Sequence, residues 1–478
     1  MPVEDLHWMG AVELGRRIAS GDLRSRGIVE ALLARIAATN PKLEAFVTVT
    51  PGLARSEADA ADAEIAAGRR RGPLHGVPYC LKDIVQTKGI RTTVGSHILA
   101  DWVPGDDATV VTRLREAGAV LLGKVNTHEF AFGATTQNIH GRTRNPWNHE
   151  RIPGGSSGGS GAAVAAGLAP FSIGSDTAGS IRIPAAFCGI SGLKPTFGLV
   201  SATGVVHQSY TSDHVGPLAR EVEDIKAIMG ILAGPDPGDP TCLGGAPPDF
   251  TTLPHTDLSG VRIGIPIELM MLPLEPGVLA AFESAKATLA SLGANVREVS
   301  VPLLADASKI NNAIVPPETA AQHLEWAEGW FQGRTIRYHD DVAALLAIGR
   351  AVKATDLVWA ERARARLRAQ LDAMLRQEVD VLLTPTAAIT APALGQTEVV
   401  LGGEPHDALM TMIHFLCGFS ITGVPALALP AGHDQAGMPT SIQLVAAHGR
   451  DAQLLAIGSA FQRATPHHRV RPTVAHDH

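Results

Sequence analysis

The sequence predicts an α/β protein, because helical and strand patterns alternate along most of the chain. A helical pattern over 108–119, "ATVVTRLREAGA", is followed at once by the apolar run "VLLGKVN", which is typical of a buried strand. Further on, "VRIGIP" (261–266), a helical pattern over 276–293 and "NVREVSV" (295–301) form a βαβ unit. With 478 residues, 45% of them apolar, the chain can bury a large core.

The N-terminal part, residues 1–70, is predicted to be a helical arm. Residues 25–40 place Val29, Leu32, Leu33 and Ile36 on one helical face, with Ser25 as the cap and Asn40-Pro41 as the stop. The segment "EADAADAEIAAG" continues as a helix until Gly68. A glycine- and arginine-rich loop then leads into "VPYCLKDIV" (77–85), which we interpret as a buried strand ending near Lys82.

Beyond the arm, the chain is predicted to form one domain over 1–478 in two parts. A core segment, 71–233, is followed by a connection, 234–260, whose prolines and glycines exclude regular structure. The second part, 261–478, contains central strands at "VDVLLTPT" (379–386) and "ALALPAG" (426–432). Between them and the βαβ unit, residues 317–378 are predicted to be helical.

Aromatic residues are concentrated in that helical segment, although they make up only 4% of the chain. Trp326, Trp330, Phe331 and Trp359 fit two interpretations. They fill a core, or they belong to a helical cover, 317–378, that lines an apolar substrate site.

The bulk composition excludes several classes of partner. A net charge of −7 and a pI near 6.2 give no general attraction to nucleic acid or to an anionic membrane. We find no signal-peptide pattern and no apolar run of about 18 residues, so the sequence predicts a soluble, cytoplasmic protein. Four cysteines stand far apart, which disfavours a zinc site or a disulfide framework, and no histidine pair has metal-ligand spacing. No metal and no cofactor are expected.

The stretch "RIPGGSSGGSGAAVAAGLAP" (151–170) demands a specific explanation, because so many glycines are costly to order. A phosphate-binding loop needs a lysine, which is missing here, and no dinucleotide-binding glycine pattern fits. The pattern G-x-S-x-G of a nucleophile elbow matches at Ser156 and at Ser157, but Pro153 and a polar loop stand where a buried strand is required. An α/β-hydrolase-type esterase therefore remains a remote alternative.

Three blocks of the sequence resemble the amidase signature family. They are "LKD" (81–83), "PGGSSGGSGAAVAAG" (153–167) and "DTAGSIRIPAAFCGISGLKPT" (176–196), in the family's order and at its usual separations. Softer similarity covers most of the chain. The resemblance implies a large twisted mixed sheet covered by helices on both faces, and an amidohydrolase that needs no cofactor.

The resemblance also implies a Ser-cisSer-Lys triad. Lys82 corresponds to the family's lysine, Ser156 to the bridging serine in a cis peptide, and Ser180 to the nucleophile that accepts the acyl group. Ser157 would tune the bridge. The oxyanion hole would be formed by the backbone amides of Thr177, Ala178, Gly179 and Ser180.

Other residues near the triad are expected to play supporting roles. Asp176 and Arg182 flank the nucleophile strip, 177–180, and would hold its loop by hydrogen bonds. Many family members have glycine where this chain has Ala178, so a positive φ there would strain the alanine. His128, His207 and His214 border the expected pocket, where a neutral hydrogen-bonding role is the better interpretation.

The chemistry sets a requirement on Lys82. As a neutral amine it would draw the proton of Ser180 through Ser156 and later return it to the leaving nitrogen. Its pKa must therefore fall from about 10.4 toward about 7 or 8, at a cost of roughly 3 to 4.5 kcal/mol that burial must impose. The apolar residues before Lys82 are consistent with such burial.

The substrate is less constrained than the chemistry. Family members cleave linear, aryl and fatty acid amides, carbamates, allophanate, and the glutamine that feeds a tRNA-dependent amidotransferase. The segments 130–138 and 207–213 and the helical cover are fairly apolar, which favours a hydrophobic or aryl amide or a carbamate, with water as the second substrate. The glutaminase subunit of the amidotransferase is the alternative, although it usually has glutamine where this chain has His214. A homodimer is compatible with the sequence.

Overall fold

The computed structural model describes residues 6–251 and 257–472. Within these residues the chain forms fourteen α-helices and an 11-stranded sheet. The strands are β1 (Phe46–Val49), β2 (Pro78–Lys82), β3 (Val120–Val125), β4 (Gln137–Asn138), β5 (Gly141–Arg142), β6 (Phe171–Asp176), β7 (Ser191–Lys194), β8 (His214–Ala219), β9 (Arg262–Pro266), β10 (Asn295–Val299), β11 (Val381–Pro385), β12 (Glu398–Leu401), β13 (Glu404–Asp407), β14 (Ala426–His433) and β15 (Pro439–Ala446). The pairs β4–β5 and β12–β13 are separate two-stranded sheets.

The helices alternate with these strands for most of the chain. They are α1 (Ala11–Ser20), α2 (Ser25–Leu43), α3 (Pro51–Ala66), α4 (Thr109–Glu116), α5 (Gly158–Ala165), α6 (Arg182–Cys188), α7 (Val222–Leu232), α8 (Pro276–Ser291), α9 (Ala307–Glu328), α10 (Asp340–Ala351), α11 (Ala354–Ala373), α12 (Ala408–Ile413), α13 (Cys417–Ile421) and α14 (Asp451–Ala464). None of the helices in the described part of the chain is long and apolar enough to cross a membrane.

The large sheet is mixed, in the order β1-β3-β2-β6-β8-β7-β14-β15-β11-β9-β10. Its parallel pairs lie toward the two edges: β3, β2 and β6 on one side, and β11, β9 and β10 on the other. The strands between them pair antiparallel. Every residue of β2, β3, β6, β7, β8, β11 and β15 is buried, as expected when helices cover both faces. The predicted fold class is confirmed.

Two predictions about α2 are wrong. Ser25 is the first helical residue rather than the cap, and its hydroxyl donates to the carbonyl of Gly76 at 2.7 Å. The helix also passes Pro41 and ends at Leu43, followed by Glu44 with a φ of 53°. The buried side chain of Leu43 is anchored in the core, so tertiary packing overrides the usual stop signal at a proline.

The helical cover also begins earlier than predicted. Helix α9 starts at Ala307 and contains both Pro316 and Pro317 in its interior. The side chains of Ile310 and Ile314 are fully buried on the turns before these prolines. Their packing continues the helix across a position where the local sequence predicts a break.

Candidate active site

The ends of two neighbouring parallel strands bring the predicted residues together. Lys82 is the last residue of β2, and β6 beside it ends at Asp176, shortly before the nucleophile strip. The side chain of Lys82 is fully buried. Its Nζ donates to the Oγ of Ser156 at 2.7 Å and to the Oγ of Ser175 at 2.9 Å. Sequence reasoning missed Ser175, the last residue but one of β6, because nothing in the local sequence around it indicated this contact.

Ser156 lies in a loop that two backbone contacts hold in place. The peptide bond between Gly155 and Ser156 is cis, the geometry that the family resemblance implies. The amide of His128 donates to the carbonyl of Ser156 at 3.1 Å, and the amide of Ser157 donates to the carbonyl of Ser180 at 3.2 Å. The residues directly before Ser156 form a loop rather than a strand, so the arrangement of a nucleophile elbow is missing here.

Close packing explains the glycines around the two serines. A Cβ added to Gly155 would lie 2.7 Å from the carbonyl carbon of Ala134, and one added to Gly159 would lie 2.4 Å from the backbone nitrogen of Asn126. Any side chain at these positions would push the loop away from the neighbouring backbone. The glycine-rich stretch therefore serves close approach between backbone segments.

Ser157 contacts the end of β6 rather than Lys82 or the Ser156 hydroxyl. Its Oγ donates to the carbonyl of Ser175 at 3.1 Å and accepts from the amide of Ser175 at 3.3 Å. Because Ser175 also binds Lys82, Ser157 supports the lysine indirectly.

A buried ion pair shapes the loop that carries Ser180. Asp176 and Arg182 are both fully buried, and the Nε of Arg182 lies 2.9 Å from the Oδ2 of Asp176. Burial alone would raise the pKa of the Asp176 carboxyl, but the charge and hydrogen bonds of Arg182 outweigh it and hold that pKa below its usual range. The carboxylate also accepts the amide of Gly179 at 2.8 Å. Through these contacts the Asp176 carboxylate holds the turn between β6 and α6 in place.

This contact changes the predicted oxyanion hole. The amide of Gly179 is already bound to Asp176 and is not free to stabilise an oxyanion. Within the described residues, the amides of Thr177, Ala178 and Ser180 have no backbone or side-chain acceptor. These three amides are the donors that remain for a developing negative charge.

The same strip explains why alanine is tolerated at position 178. Ala178 is not among the residues with a positive φ, whereas Gly179 has a φ of 130°. A Cβ on Gly179 would also meet the Cδ1 of Leu416 at 2.5 Å. The glycine requirement therefore falls on position 179, and Ala178 is unstrained.

The surroundings of Lys82 lower its pKa, as the expected proton transfer requires. Burial lowers the pKa of Lys82 to about 7, against the opposing influence of the carboxylates of Asp213 and Asp176. A substantial fraction of the amine is then neutral near pH 7. Asp83, the neighbour of Lys82, is drawn away from it toward Lys124, 3.5 Å distant.

Among the described residues, none of the three candidate histidine rings forms a hydrogen bond with a triad side chain. The ring of His128 is buried, with its Nε2 3.0 Å from the Oδ2 of Asp341 on α10. His214 is buried beside β6, where its Nδ1 lies 2.7 Å from the carbonyl of Ser212 and burial lowers its pKa well below the ordinary value. His207 is partly exposed, 3.8 Å from Asp213.

A cavity of about 80 Å³ opens beside Ser180, whose side chain borders it. Three polar side chains, Gln208, Asn311 and Asn312, contribute carboxamides to the lining. No lining residue carries a formal charge. The apolar part of the lining comes from Ala131, Phe132, Ala134, Ala178, Ile183, Val315, Pro316, Leu345, Leu409, Met410 and Ile413.

The tryptophans of the helical cover do not reach this cavity. Trp326, Trp330 and Phe331 pack with Phe130 and other rings in an aromatic cluster, with ring centroids 5.3 to 5.9 Å apart. Trp359 lies under the ammonium group of Lys309. From the two helices α9 and α10 the cavity receives Asn311, Asn312, Val315, Pro316 and Leu345. Of the two interpretations of the aromatic residues, packing in a cluster describes Trp326, Trp330 and Phe331, and the role of the cover at a substrate site stays a prediction.

Comparison with known proteins gives consistent results. A family model described as "Amidase" matches residues 27–455. A curated relative, a glutamyl-tRNA(Gln) amidotransferase subunit from Roseiflexus sp. (strain RS-1), is 38% identical over 484 residues, which covers 98% of each chain.

Solved structures agree with the sequence match. A chain from a vestigial protein complex, studied for the origins of an s-triazine catabolic enzyme, superposes with a TM-score of 0.88 at 37% identity, covering 95% of this chain and 98% of the other. A 6-aminohexanoate cyclic dimer hydrolase gives 0.87 at 31% identity over 98% and 99%. In fold and in sequence over nearly its whole length, the chain belongs to the amidase family.

Proposed function

We propose that the chain hydrolyses the C–N acyl bond of a small amide through an acyl-enzyme on Ser180. The observation that carries the proposal is the 2.7 Å contact between Lys82 Nζ and Ser156 Oγ, in a buried site whose nucleophile candidate borders a cavity. An amine held there with a pKa of about 7 serves as base when neutral and as acid when protonated.

In the first half of the reaction, neutral Lys82 takes the proton of Ser156, which takes that of Ser180. The Ser180 oxygen bonds to the acyl carbon, and the carbonyl oxygen gains a negative charge that the amides of Thr177, Ala178 and Ser180 stabilise. The relay then returns the proton to the amide nitrogen as the C–N bond breaks. In the second half, water attacks the ester, and its proton follows the same path until Ser180 is restored.

The cavity favours an uncharged, apolar acyl group. Its walls are formed largely by aliphatic side chains and Phe132, and its lining residues offer no charged partner. A free amino acid would leave its ammonium and carboxylate groups without ionic partners there, at a cost in desolvation. A small hydrophobic or aryl amide or a carbamate meets this environment better.

A second candidate, the glutaminase subunit of a tRNA-dependent amidotransferase, has support from the relatives. The curated amidotransferase subunits match almost end to end at 38 to 39% identity, which favours this candidate more directly than it favours a free-standing aryl amidase. The carboxamides of Gln208, Asn311 and Asn312 also offer hydrogen bonds to a glutamine side chain. His214 lies outside the cavity lining, so its difference from glutamine carries no weight against this candidate. This function would require partner chains.

A turnover screen distinguishes the two candidates. The isolated chain is assayed with aryl amides, aliphatic amides, carbamates and glutamine, beside Ser180→Ala as the inactive control. Turnover of apolar amides or carbamates by the isolated chain supports the first candidate. Glutamine hydrolysis alone, appearing only when the partner subunits of an amidotransferase are added, supports the second. No turnover of any C–N acyl bond under either condition contradicts both.

A further inference from the structure

Asp213 has a buried carboxylate, and the sequence predicts no role for it. It directly precedes β8, which pairs antiparallel with β6 so that His214 stands opposite Asp176. This register places Asp213 beside Thr177, the first residue of the nucleophile strip.

The two carboxylate oxygens of Asp213 accept hydrogen bonds from two different segments of the site. Oδ1 accepts a hydrogen bond from the hydroxyl of Thr177 at 2.5 Å. Oδ2 accepts the backbone amide of Gln208 at 2.6 Å, and Gln208 lines the cavity. A single carboxylate therefore connects the start of the nucleophile strip to the cavity wall.

The charges around Asp213 come from several elements. His207 of the same loop lies 3.8 Å away, and Lys82 on β2 and Asp176 on β6 share its buried surroundings. Glu318 on α9 and Arg364 on α11 reach the loop through Thr211, whose hydroxyl donates to the Oε1 of Glu318 at 2.7 Å and accepts from the Nη1 of Arg364 at the same distance. Burial raises the pKa of Asp213, and the charge of His207 opposes that effect.

We propose that Asp213 is a positioning residue that fixes the nucleophile strip at the cavity wall and compensates the charge of Lys82 when the lysine holds the proton of Ser180. The inference rests on the proposed chemistry at Ser180. When the relay moves that proton, a positive charge appears in a buried site, and the nearby carboxylate stabilises it. Of the two carboxylates that raise the pKa of Lys82, Asp213 has the larger influence.

Two substitutions separate the two parts of this role. Asp213→Asn removes the negative charge of the carboxylate and one hydrogen-bond acceptor. Thr177→Val removes the hydrogen bond between the nucleophile strip and Asp213 but leaves the charge of Asp213. The readout is the rate at which a fluorophosphonate probe phosphonylates Ser180, with fluoride as the leaving group, measured from pH 5 to pH 9. This readout needs no knowledge of the substrate.

For Asp213→Asn we expect a maximal rate lower by about 10- to 100-fold, as for loss of a charge-assisted hydrogen bond. We also expect the midpoint of the acidic limb to move about one pH unit lower, because the protonated lysine loses its compensating charge. For Thr177→Val we expect a lower maximal rate with the midpoint unchanged. A purely structural role for Asp213 would lower the rate without moving the midpoint.

Asp236→Asn is the matched control. Asp236 also accepts two hydroxyls, from Thr109 and Ser201, but it lies outside the site, and the variant should keep the wild-type midpoint. An Asp213→Asn protein labelled with the wild-type rate and midpoint overturns the inference while leaving the proposed function intact. If Asp213→Asn does not fold, an unchanged rate in Thr177→Val overturns it. A wild-type protein that is not labelled at Ser180 contradicts the proposed function itself.

Discussion

Lys82 and Ser156 form a fully buried pair, with the Nζ of the lysine 2.7 Å from the Oγ of the serine. The contact joins the end of β2 to a loop 74 positions further along the chain. A lysine is expensive to bury, and this one is held by two serine hydroxyls rather than by a direct ion pair. Such an environment lowers the proton affinity of an amine while keeping it aligned for transfer.

The first prediction concerns pH. Hydrolysis requires neutral Lys82, so the rate should rise as pH passes through about 7 and level off above it. Below the midpoint the rate should fall about tenfold per pH unit, since each unit removes nine tenths of the neutral amine. A profile of kcat against pH measures this limb. Lys82→Ala should lose about 10²- to 10⁴-fold in rate, and the remaining activity should lack the limb. Full activity in that variant at neutral pH would exclude the mechanism.

The second prediction separates the three serines. Ser180→Ala should abolish both turnover and covalent labelling, and Ser156→Ala should reduce them by about 10²- to 10⁴-fold, because the relay is broken. Ser157→Ala should have the smallest effect, because within the described part of the chain its hydroxyl forms hydrogen bonds with the backbone of Ser175 and not with another triad side chain. Mass spectrometry of the labelled protein locates the modified residue. A label on Ser156 or Ser157 would contradict the assignment of the nucleophile.

The third prediction compares two neighbouring residues of the nucleophile strip. Gly179→Ala should reduce activity severely, because residue 179 has a φ of 130° and the added methyl would meet Leu416. Ala178→Gly should retain most of the activity, since position 178 needs no positive φ. Both proteins are compared by kcat and by thermal unfolding. Equal losses in the two variants would show that strain at position 179 is not the cause.

The fourth prediction concerns stability. Arg182→Met leaves the fully buried carboxylate of Asp176 without its ionic partner, which should lower the free energy of unfolding by about 3 to 5 kcal/mol. Arg262→Met is the matched control, because its pair with Asp380 is partly exposed and screened by solvent, so its loss should lower the free energy of unfolding much less. Urea unfolding of both variants measures the difference. Similar decreases in the free energy of unfolding of the two variants would contradict the prediction that the buried Asp176–Arg182 pair contributes more to stability than the partly exposed pair.

The sequence predicts much of the fold, because the informative signals are local. The strands at 78–82 and 120–125 and the helix at 276–291 stand where apolar patterns and turn residues placed them. The helix through Pro41 and the one through Pro316 and Pro317 were mispredicted, since long-range packing outweighs the local cost of a proline.

For the candidate site, the family resemblance supplied the triad assignment, which stays a prediction. The contacts of Ser175 and Asp213 were not predictable, because they depend on the register between β2, β6 and β8, and a single sequence does not reveal register. The hydrogen bond from the Gly179 amide to Asp176 was not predictable from the sequence for a related reason. It depends on a turn whose path is fixed only once Arg182 is buried.

The contacts of Arg182 also bear on how the chain is divided. Its Nη1 donates to the Oε1 of Gln443 at 3.0 Å, and its Nη2 donates to the Oγ of Ser420 at 2.7 Å, so the guanidinium is shared between segments on opposite sides of the proline-rich connection. A fragment ending before that connection would contain all three triad residues but would lack these acceptors. The nucleophile loop is therefore held by residues from both parts of the chain. We expect that the segment with the family motifs does not adopt this loop conformation on its own.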